Sequence, residues 1–378
     1  MRVAVLEWIC GGGMSHIPSS HIPNSLRREG AAMLACLQRL LAAGGCQVAS
    51  ALDERFFDCE SWSANVELTT VKIQCERRAD LIPEAWFEIA NSADLTLVVA
   101  PEFDRILENC ISQLAFSGCR LLNCSGEFLT AASDKWLTSQ RLLAAGIAHP
   151  PTLRFDAFKQ TDANEVVLRS VAGFWQTDRW IVKPRDGAGC EQVSVCSIAE
   201  LQRHPHRGSS HFVVQPLIDG LALSCSAIVD GERTEQTTDA PVASLRNEAG
   251  PQLLRRESDR RATWLPLFTQ EFTPEMQYCG GVLADGGIRS KCPTDMLDQT
   301  LTALGVGARG WVGVDLLYRS QDARWIVIEV NPRCTTSIVG VSEICARLYG
   351  SGWLGELLLR TESLGEESSS AVFRAKTR

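Results

Sequence analysis

Three oxygen-bearing side chains lie in two apolar segments towards the end of the chain. Asp315 interrupts the run GWVGVDLLY, while Glu329 and Asn331 stand in WIVIEVNPR. A carboxylate in an apolar strand is costly to bury unless a cation or a metal ion neutralises it. If the chain turns back near Asp322 as a hairpin, Asp315 faces Glu329, with the two β-carbons about 5 Å apart.

Asn331 follows Glu329 by two positions, so the two side chains lie on one face of their strand. Mg²⁺ takes oxygen ligands and bridges to phosphate groups. The spacing therefore predicts a Mg²⁺ site formed by Asp315, Glu329 and Asn331. The alternative is a structural ion pair in which Arg333 or another base neutralises the carboxylates.

A lysine at a strand end is followed at once by a glycine-rich segment, in WIVKPRDGAGCEQV. Glycines let backbone N–H groups approach a phosphate closely, and Lys183 would supply the counter-charge. The chain contains no GxxxxGK[ST] sequence, so this is not a Walker loop. A phosphate-binding loop at Gly187, Ala188 and Gly189 and an ordinary hairpin turn both remain open.

Two weaker signals accompany these motifs, one before Lys183 and one after the glycine-rich segment. Asp134 is a normal helix cap, but Lys135 in the first turn is slightly unfavourable there and suggests an external anion. The segment HFVVQPLIDG stops at Pro216, which predicts a sheet edge or a crossover where backbone groups could contact an adenine. A plain helix cap and a plain strand end are the alternatives.

The elements that must position these residues fall into two classes. Up to about residue 125, short buried strands (3–7, 47–52 and 94–100) alternate with helices (24–43, 83–91 and 103–116), which predicts a mostly parallel α/β sheet. From Thr152 onward strands dominate and several connections are short, which predicts antiparallel pairing. Residues 235–275 lack periodicity and are expected to form a long surface excursion.

The overall composition is that of a globular protein of 378 residues with a formal net charge of −8. No basic face is evident, so we expect no nucleic-acid partner. The 15 cysteines form no CxxC pair, which favours free thiols in a reducing cytoplasm. We see no signal peptide and no segment long enough to span a membrane, so a cytoplasmic protein is expected.

Taken in order, the motifs Asp134-Lys135, VKP with DGAG, QPLI and VGVD with IEVNPR resemble those of the ATP-grasp superfamily. The resemblance spans roughly residues 120–350 and implies both α/β and α+β architecture. A Rossmann-like N-terminal domain would occupy residues 1–122 and the ATP-grasp domain residues 123–360. A small helical and β lid subdomain would lie at about 150–215, followed by a C-terminal antiparallel sheet and a disordered tail at 361–378.

The resemblance implies roles for the matching positions. Lys135 and Lys183 would contact ATP phosphates, and Gly187, Ala188 and Gly189 would close over them. Mg²⁺, or Mn²⁺ in its place, would bind Asp315, Glu329 and Asn331. Arg333 and Lys183 would be catalytic, with Arg333 facing the transferred phosphate. The adenine hinge would comprise Gln215, Pro216, Leu217 and Ile218, although the superfamily usually has an acidic residue where Gln215 stands.

Within the superfamily, the segments EWICGGG, SLRREGAAML, CGGV and NPRCTTS resemble those of tyramine–glutamate ligases of methanofuran biosynthesis. This resemblance would place Gly11, Gly12, Gly13, Gly280 and Gly281 in a substrate pocket. A tight strand–helix turn is the alternative for the first three.

The activity implied by the resemblance is ATP-dependent ligation of a small-molecule carboxylate, such as glutamate, to an amine through an acyl phosphate. Glutamylation of a peptide or protein and nucleotide binding without catalysis are the alternatives. The resemblance leaves a homodimer open.

Overall fold

A computed structural model describes residues 1–56, 66–72, 78, 81–159, 161–187, 192–230, 262–273, 276 and 278–363. The chain forms two compact units. Unit 1 contains residues 1–99, 112–122 and the chain from Ile338, and unit 2 contains residues 100–111 and 123–337. The predicted disordered tail at 361–378 begins too early, because residues 361–363 belong to a helix that ends at Ser363. The loop residues Ala188 and Gly189, and residues 364–378, lie outside the described residues.

The described secondary structure comprises strands and helices of both units. The strands are β1 Arg2–Glu7, β2 Gln47–Asp53, β3 Val66–Val71, β4 Leu95–Val99, β5 Leu153–Arg154, β6 Arg179–Pro184, β7 Ser194–Ser197, β8 Phe212–Pro216, β9 Leu221–Val229, β10 Ala262–Trp264, β11 Phe268–Phe272, β12 Tyr278–Leu283, β13 Gly310–Arg319 and β14 Arg324–Asn331. The helices are α1 Asn24–Ala43, α2 Glu84–Asn91, α3 Ile106–Phe116, α4 Gly126–Ala132, α5 Lys135–Ala144, α6 Thr161–Trp175, α7 Ile198–Leu201, α8 Gly286–Arg289, α9 Thr294–Ala303, α10 Ile338–Tyr349 and α11 Trp353–Ser363.

Unit 1 is built on a parallel sheet with the strand order β3-β2-β1-β4. This confirms the predicted parallel α/β arrangement. Helix α1 follows its predicted bounds and packs against β1 and β2, where its leucines at 34, 37 and 41 are fully buried. The helices α10 and α11 also pack against α1, so the end of the described chain completes this unit.

Unit 2 contains two antiparallel sheets. The larger sheet has the order β12-β11-β9-β13-β14, and β10 also pairs with β9. The smaller sheet has the order β5-β8-β6-β7 and is covered by α6 and α7. Its core contains Phe155, Trp180 and Phe212 among other buried apolar side chains. The antiparallel pairing predicted for this half of the chain is confirmed.

Two predictions about unit 2 were wrong. Strand β8 is not an edge or a crossover, because it pairs with β6 on one side and with β5 on the other. Pro216 is tolerated because it is the last residue of β8, beyond the two residues that pair with β5. The expected surface excursion at 235–275 also fails in part, because β10 and β11 are sheet strands; residues 231–261 lie outside the described residues.

Two general features agree with the sequence. All described cysteines are free thiols. Within the described residues, no helix combines the length and the apolar character needed to cross a bilayer.

Candidate active site

The hairpin of β13 and β14 brings the predicted metal ligands together. Asp315 pairs with Glu329, and Gly313 pairs with Asn331, as the predicted turn near Asp322 requires. A β-bulge between Asp315 and Leu316 shifts the register by one residue beyond that point. The predicted pairing of the two carboxylates is therefore confirmed, and the bulge leaves it unchanged because it lies on the other side of Asp315.

The side chains of Asp315 and Asn331 lie on the same face of the hairpin. The Nδ2 group of Asn331 donates to Oδ2 of Asp315 at 3.2 Å, and Nε2 of Gln270 donates to Oδ1 at 2.9 Å. Burial and the neighbouring charge of Glu329 raise the pKa of Asp315 to about 6, although hydrogen bonds from Asn331, Ser224 and Gln270 oppose the shift. An additional positive charge at this face would therefore favour the ionised carboxylate.

The donor set fits a hard divalent cation. Two carboxylates and the amide oxygen of Asn331, whose nitrogen faces Asp315, are oxygen ligands of the kind that Mg²⁺ prefers. Asp315 and Glu329 both retain some accessible surface. Among the described residues, no group of three or more His, Cys, Asp or Glu side chains is arranged to hold a metal ion, so this set depends on two carboxylates and an amide oxygen.

Lys135 is the base that faces Glu329. Helix α5 packs beside β14, and Nζ of Lys135 lies 3.1 Å from Oε1 of Glu329 while donating to the carbonyl oxygen of Gly187 at 2.6 Å. Burial alone would raise the pKa of Glu329, but the charges of Lys135, Lys183 and Arg333 lower it below its usual range. The structural ion pair considered as an alternative therefore forms with Lys135 and not with Arg333.

The segment after β6 is fixed against the start of α5. Asp134 caps α5 by accepting from the backbone N–H groups of Trp136 and Leu137, and it also binds the guanidinium of Arg185. The backbone N–H of Lys135 donates to the carbonyl oxygen of Arg185 at 2.9 Å. Lys183 is buried, with 7% of its surface exposed, and its charge acts on Glu329. Both lysines thus lie close to the carboxylate face.

Gln215, at the start of the predicted adenine hinge, is part of a buried polar network. Its Nε2 donates to Oγ1 of Thr152 at 2.7 Å and lies 3.5 Å from Nε2 of His149. His149 uses Nδ1 to donate to the carbonyl oxygen of Val327 at 2.8 Å. Burial, assisted by the charge of Lys183, lowers the pKa of His149 to about 3, so the ring is neutral at physiological pH.

The remaining hinge residues lie at the end of β8 and just beyond it. Pro216 pairs with Trp180, and the backbone N–H of Leu217 donates to the carbonyl oxygen of Arg179 at 2.9 Å. That N–H is therefore already used and would not be available to a base. Ile218 packs with Trp175, Leu317 and Ile326 in a small apolar cluster.

Arg333 contacts an acidic residue that the sequence did not single out. Its Nε and Nη2 donate to the two carboxylate oxygens of Glu102 at 2.9 and 2.8 Å, and its Nη1 donates to the carbonyl oxygen of Cys334 at 3.1 Å. Burial alone would lower the pKa of Arg333, but Glu102 raises it. The guanidinium is therefore held as a cation with a fixed orientation.

The glycines at 11–13 lie in unit 1, after β1. A β-carbon at Gly11 would overlap the carbonyl oxygen of Glu7, and one at Gly13 would overlap the indole of Trp8. Gly12 has φ +90°, and a β-carbon there would meet Val71. Glycine is therefore needed at these three positions because the turn is tightly packed. Their place in a substrate pocket stays a prediction.

The second glycine pair lies in β12, at the edge of the larger sheet of unit 2. Gly281 pairs with Gln270, the residue that donates to Asp315, and a β-carbon on Gly281 would lie 2.6 Å from the carbonyl oxygen of Thr269. Gly280 has φ +134°, which favours glycine. A substrate role for this pair also stays a prediction.

Three polar residues near the carboxylates were missed at the level of sequence: Glu102, His149 and Gln270. Each stands in a segment with ordinary structural explanations: PEFDR, AHPP and FTQEF. Their partners lie 45 or more residues away for Gln270 and Glu102, and 178 residues away for His149. Only Glu102 could have been noticed in the sequence, because it is an acidic residue that closely follows the apolar strand β4.

Comparison with known proteins identifies the class. A model of the ATP-grasp domain matches residues 132–337, more than half of the chain, and a model of the pre ATP-grasp 3 domain matches residues 46–127. The chain therefore belongs to the ATP-grasp family. This confirms the predicted ATP-grasp fold and the predicted class of ATP-dependent ligase that forms a C–N bond.

Individual relatives are more distant. A tyramine–L-glutamate ligase from Methanocaldococcus jannaschii is 24% identical over 297 residues, which are 78% of this chain and 72% of that protein. An ATP-grasp superfamily protein from Archaeoglobus fulgidus has a TM-score of 0.60 and 17% identity, covering 95% of this chain and 88% of that one. A D-alanine–D-alanine ligase from Bacillus anthracis with bound ATP has a TM-score of 0.55 and 16% identity, covering 96% and 97%.

Proposed function

We propose that this chain joins a small-molecule carboxylate to an amine through an acyl-phosphate intermediate, at the expense of ATP. The observation that carries the proposal is the shared face of Asp315, Glu329 and Asn331, with Lys135 in contact with Glu329 and Lys183 acting on it by charge. All five residues lie in the segment that matches the ATP-grasp domain.

The chemistry explains why these residue types are needed. A carboxylate is a poor acyl donor, so one of its oxygens first attacks the γ-phosphorus of ATP and ADP leaves. The amine nitrogen then attacks the carbonyl carbon of the acyl phosphate, inorganic phosphate leaves, and the nitrogen loses a proton. Both steps concentrate negative charge on phosphate and carboxyl oxygens, and fixed cations stabilise that charge.

Each charged residue has a proposed role in this scheme. Lys135 and Lys183 hold the phosphates of ATP, and Lys135 would exchange part of its contact with Glu329 for a phosphate oxygen. Arg333 holds the phosphate that is transferred. Asp315, Glu329 and Asn331 would hold Mg²⁺, or Mn²⁺, which supplies charge neutralisation at the phosphates when it is bound. Gln215 to Ile218 would contact the adenine through the groups that their present hydrogen bonds leave free.

The amide-forming partners that we favour are glutamate and an aromatic amine. The support is the likeness to the tyramine–L-glutamate ligase, which extends over 78% of this chain. The segments EWICGGG and NPRCTTS carry the resemblance at the level of sequence. Gly11 to Gly13 and Gly280 to Gly281 are the positions where we would look for contacts with these substrates.

The test is substrate-dependent release of ADP. The purified protein is incubated with Mg-ATP, L-glutamate and tyramine, and then with panels of other amino acids and amines, while ADP is measured and the product is identified by mass spectrometry. ADP release that requires both partners supports ligation. Tight nucleotide binding without turnover for any pair would instead indicate a binding protein, and turnover only with a peptide acceptor would indicate peptide glutamylation.

The metal assignment predicts the behaviour of Glu329→Gln. Loss of a residue that hydrogen-bonds to a metal ligand costs about 10- to 100-fold in activity. Loss of a ligand carboxylate itself should therefore lower turnover by at least about 100-fold. The matched control is Asp322→Asn, which removes an exposed carboxylate from the turn of the same hairpin and should retain wild-type turnover. Equal rates for Glu329→Gln and the control would remove the metal assignment.

A further inference from the structure

Glu102 forms an ion pair with one edge of the Arg333 guanidinium, and both residues belong to unit 2. One carboxylate oxygen accepts from Nε at 2.9 Å and the other from Nη2 at 2.8 Å, which is a side-on bidentate pair. Both side chains are largely buried, with 6% of Glu102 and 11% of Arg333 exposed. Removing one partner of such a buried pair is destabilising, and the bidentate geometry also fixes the orientation of the guanidinium.

The pair leaves part of the guanidinium available to an anion. Arginine has five N–H donors, and three of them are used by Glu102 and by the carbonyl oxygen of Cys334. As far as the described residues go, one N–H on Nη1 and one on Nη2 remain. Two N–H groups on neighbouring nitrogens match two oxygens of a phosphate group.

A second carboxylate, that of Glu329, would compete for Arg333 if Glu102 were removed. Glu329 precedes Arg333 by four positions and attracts its charge. If Glu102 were lost, that attraction would favour contact between Arg333 and Glu329, and Arg333 would then occupy a carboxylate that we assign to the metal site. The ion pair with Glu102 would therefore keep Arg333 in place and leave the carboxylate of Glu329 to the metal site.

The backbone of Glu102 has ordinary helical angles, but the turn that follows it is uncommon. Asp104 and Arg105 both have positive φ values, of 53° and 57°. The backbone N–H of Asp104 donates to Oδ2 of Asp186, in the segment between Lys183 and the glycine loop, at 3.1 Å. Consecutive non-glycine residues in this region are unfavourable and are typical of positions where surrounding contacts fix a functional segment.

We propose that Glu102 is a positioning residue of the ligase: it clamps the side edge of Arg333 so that the two remaining N–H donors face the phosphate that is transferred and released. This inference rests on the proposed function. Its chemical content is that the site should bind inorganic phosphate, the product released from the acyl phosphate, only when Arg333 is held in this way. Nucleotide binding, which we assign to Lys135 and Lys183, should not require Glu102.

The primary test measures binding and needs no knowledge of the substrates. Affinity for inorganic phosphate is measured by calorimetry at saturating MgADP for the wild type, Glu102→Gln and Glu102→Asp. Misplacement of a catalytic group costs up to about 100-fold, so we expect Glu102→Gln to weaken phosphate binding by about 10-fold or more. The affinity for MgADP alone should stay unchanged, and Glu102→Asp, which retains the carboxylate, should recover part of the phosphate affinity.

The control is Asp156→Asn, which removes the carboxylate partner of Arg154 in the same unit. It should bind both phosphate and MgADP as the wild type does. Thermal unfolding of all variants separates a local effect from a general loss of structure. The inference is overturned if Glu102→Gln retains wild-type phosphate affinity, or if the wild type binds MgADP but no phosphate. A wild type that fails to bind MgADP would reject the proposed function itself, and this inference with it.

A kinetic measurement then extends the test to the reaction. With a substrate pair identified by ADP release, Glu102→Gln should lower kcat while the KM for ATP stays within about threefold, because only the contact to the transferred phosphate is impaired. If Glu102→Gln instead raised the KM for ATP and left kcat unchanged, Glu102 would act in ground-state binding of ATP, and the positioning role would be contradicted.

Discussion

Six charged side chains of unit 2 form the candidate site, three of them cationic and three acidic: Lys135, Lys183, Arg333, Glu102, Asp315 and Glu329. The two carboxylates of the hairpin respond in opposite directions. The pKa of Asp315 rises because burial dominates, whereas the pKa of Glu329 falls because three cations outweigh its burial. The positive charge is therefore concentrated around Glu329, and a cation bound beside Asp315 would lower the pKa of that carboxylate.

His149 gives a prediction at the scale of a single residue. Its pKa is about 3 in the folded protein and 6.5 when unperturbed, so between these values the unfolded chain binds more protons. Its contribution to stability is therefore present above pH 6.5 and is lost as the pH falls. From pH 7.5 to pH 5 we expect the free energy of unfolding to fall by about 2 kcal/mol through this residue.

The measurement is urea denaturation at both pH values for the wild type and for His149→Gln, which cannot titrate. The variant should lose about 2 kcal/mol of the pH-dependent change, whatever its absolute stability. His204 is a suitable comparison for the same measurement, because it is a histidine that is only partly buried. The same pH dependence in the wild type and in His149→Gln would show that His149 is not the titrating group.

Helix α5 connects local capping to the position of Lys135. Asp134 accepts from two backbone N–H groups at the start of the helix and binds Arg185. Loss of such a cap costs about 0.5–2 kcal/mol, and the partly exposed ion pair adds up to about 1 kcal/mol. We expect Asp134→Ala to lower the free energy of unfolding by about 1–3 kcal/mol, measured by urea denaturation, and Asp134→Ser to recover the capping share. Equal stability of the alanine and serine variants would contradict the capping role.

The elements that the sequence predicted well are those determined by local pattern. The hairpin of β13 and β14 follows from two apolar runs around a polar turn, and the bounds of α1 follow from its leucine periodicity. Strand β3 was missed because only one of the three apolar residues in VELTTV, Val71, is buried, so the segment shows no clear apolar face. The interior place of β8 was also missed, because it depends on the two-residue strand β5, which is too short to have a pattern of its own.

In the candidate site, too, contacts within one local element were predictable and contacts between distant segments were not. The facing of Asp315 and Glu329 was predictable because one hairpin contains both. The pairing of Arg333 with Glu102 was not, because 231 residues separate them and only the folded chain brings them into contact. Sequence also could not indicate which base would neutralise Glu329, since that depends on how α5 packs beside β14.

At the scale of the whole molecule, the match to the ATP-grasp domain ends at residue 337, but unit 1 continues beyond it. The thiol of Cys36 in α1 lies 3.1 Å from the hydroxyl of Ser342 in α10. Glycines at 352 and 355 let the start of α11 approach the end of α1, where a β-carbon would collide with the carbonyl oxygens of Ala43 and Leu40. The last two described helices are therefore structural parts of unit 1.

A truncation tests this conclusion. Ending the chain after Ser337 would remove several buried apolar side chains of unit 1, including Ile338, Val341, Leu354 and Leu358. Each of these four contributes about 1.5–3 kcal/mol, so the loss of about 6–12 kcal/mol is comparable with the whole stability of a domain, about 5–15 kcal/mol. Residues 1–337 should therefore be unfolded in unit 1 and cleaved rapidly by protease, whereas residues 1–363 should resist cleavage as the full chain does. Equal protease resistance of the two truncated chains would show that α10 and α11 are dispensable for unit 1, and would favour a boundary at the end of the ATP-grasp match.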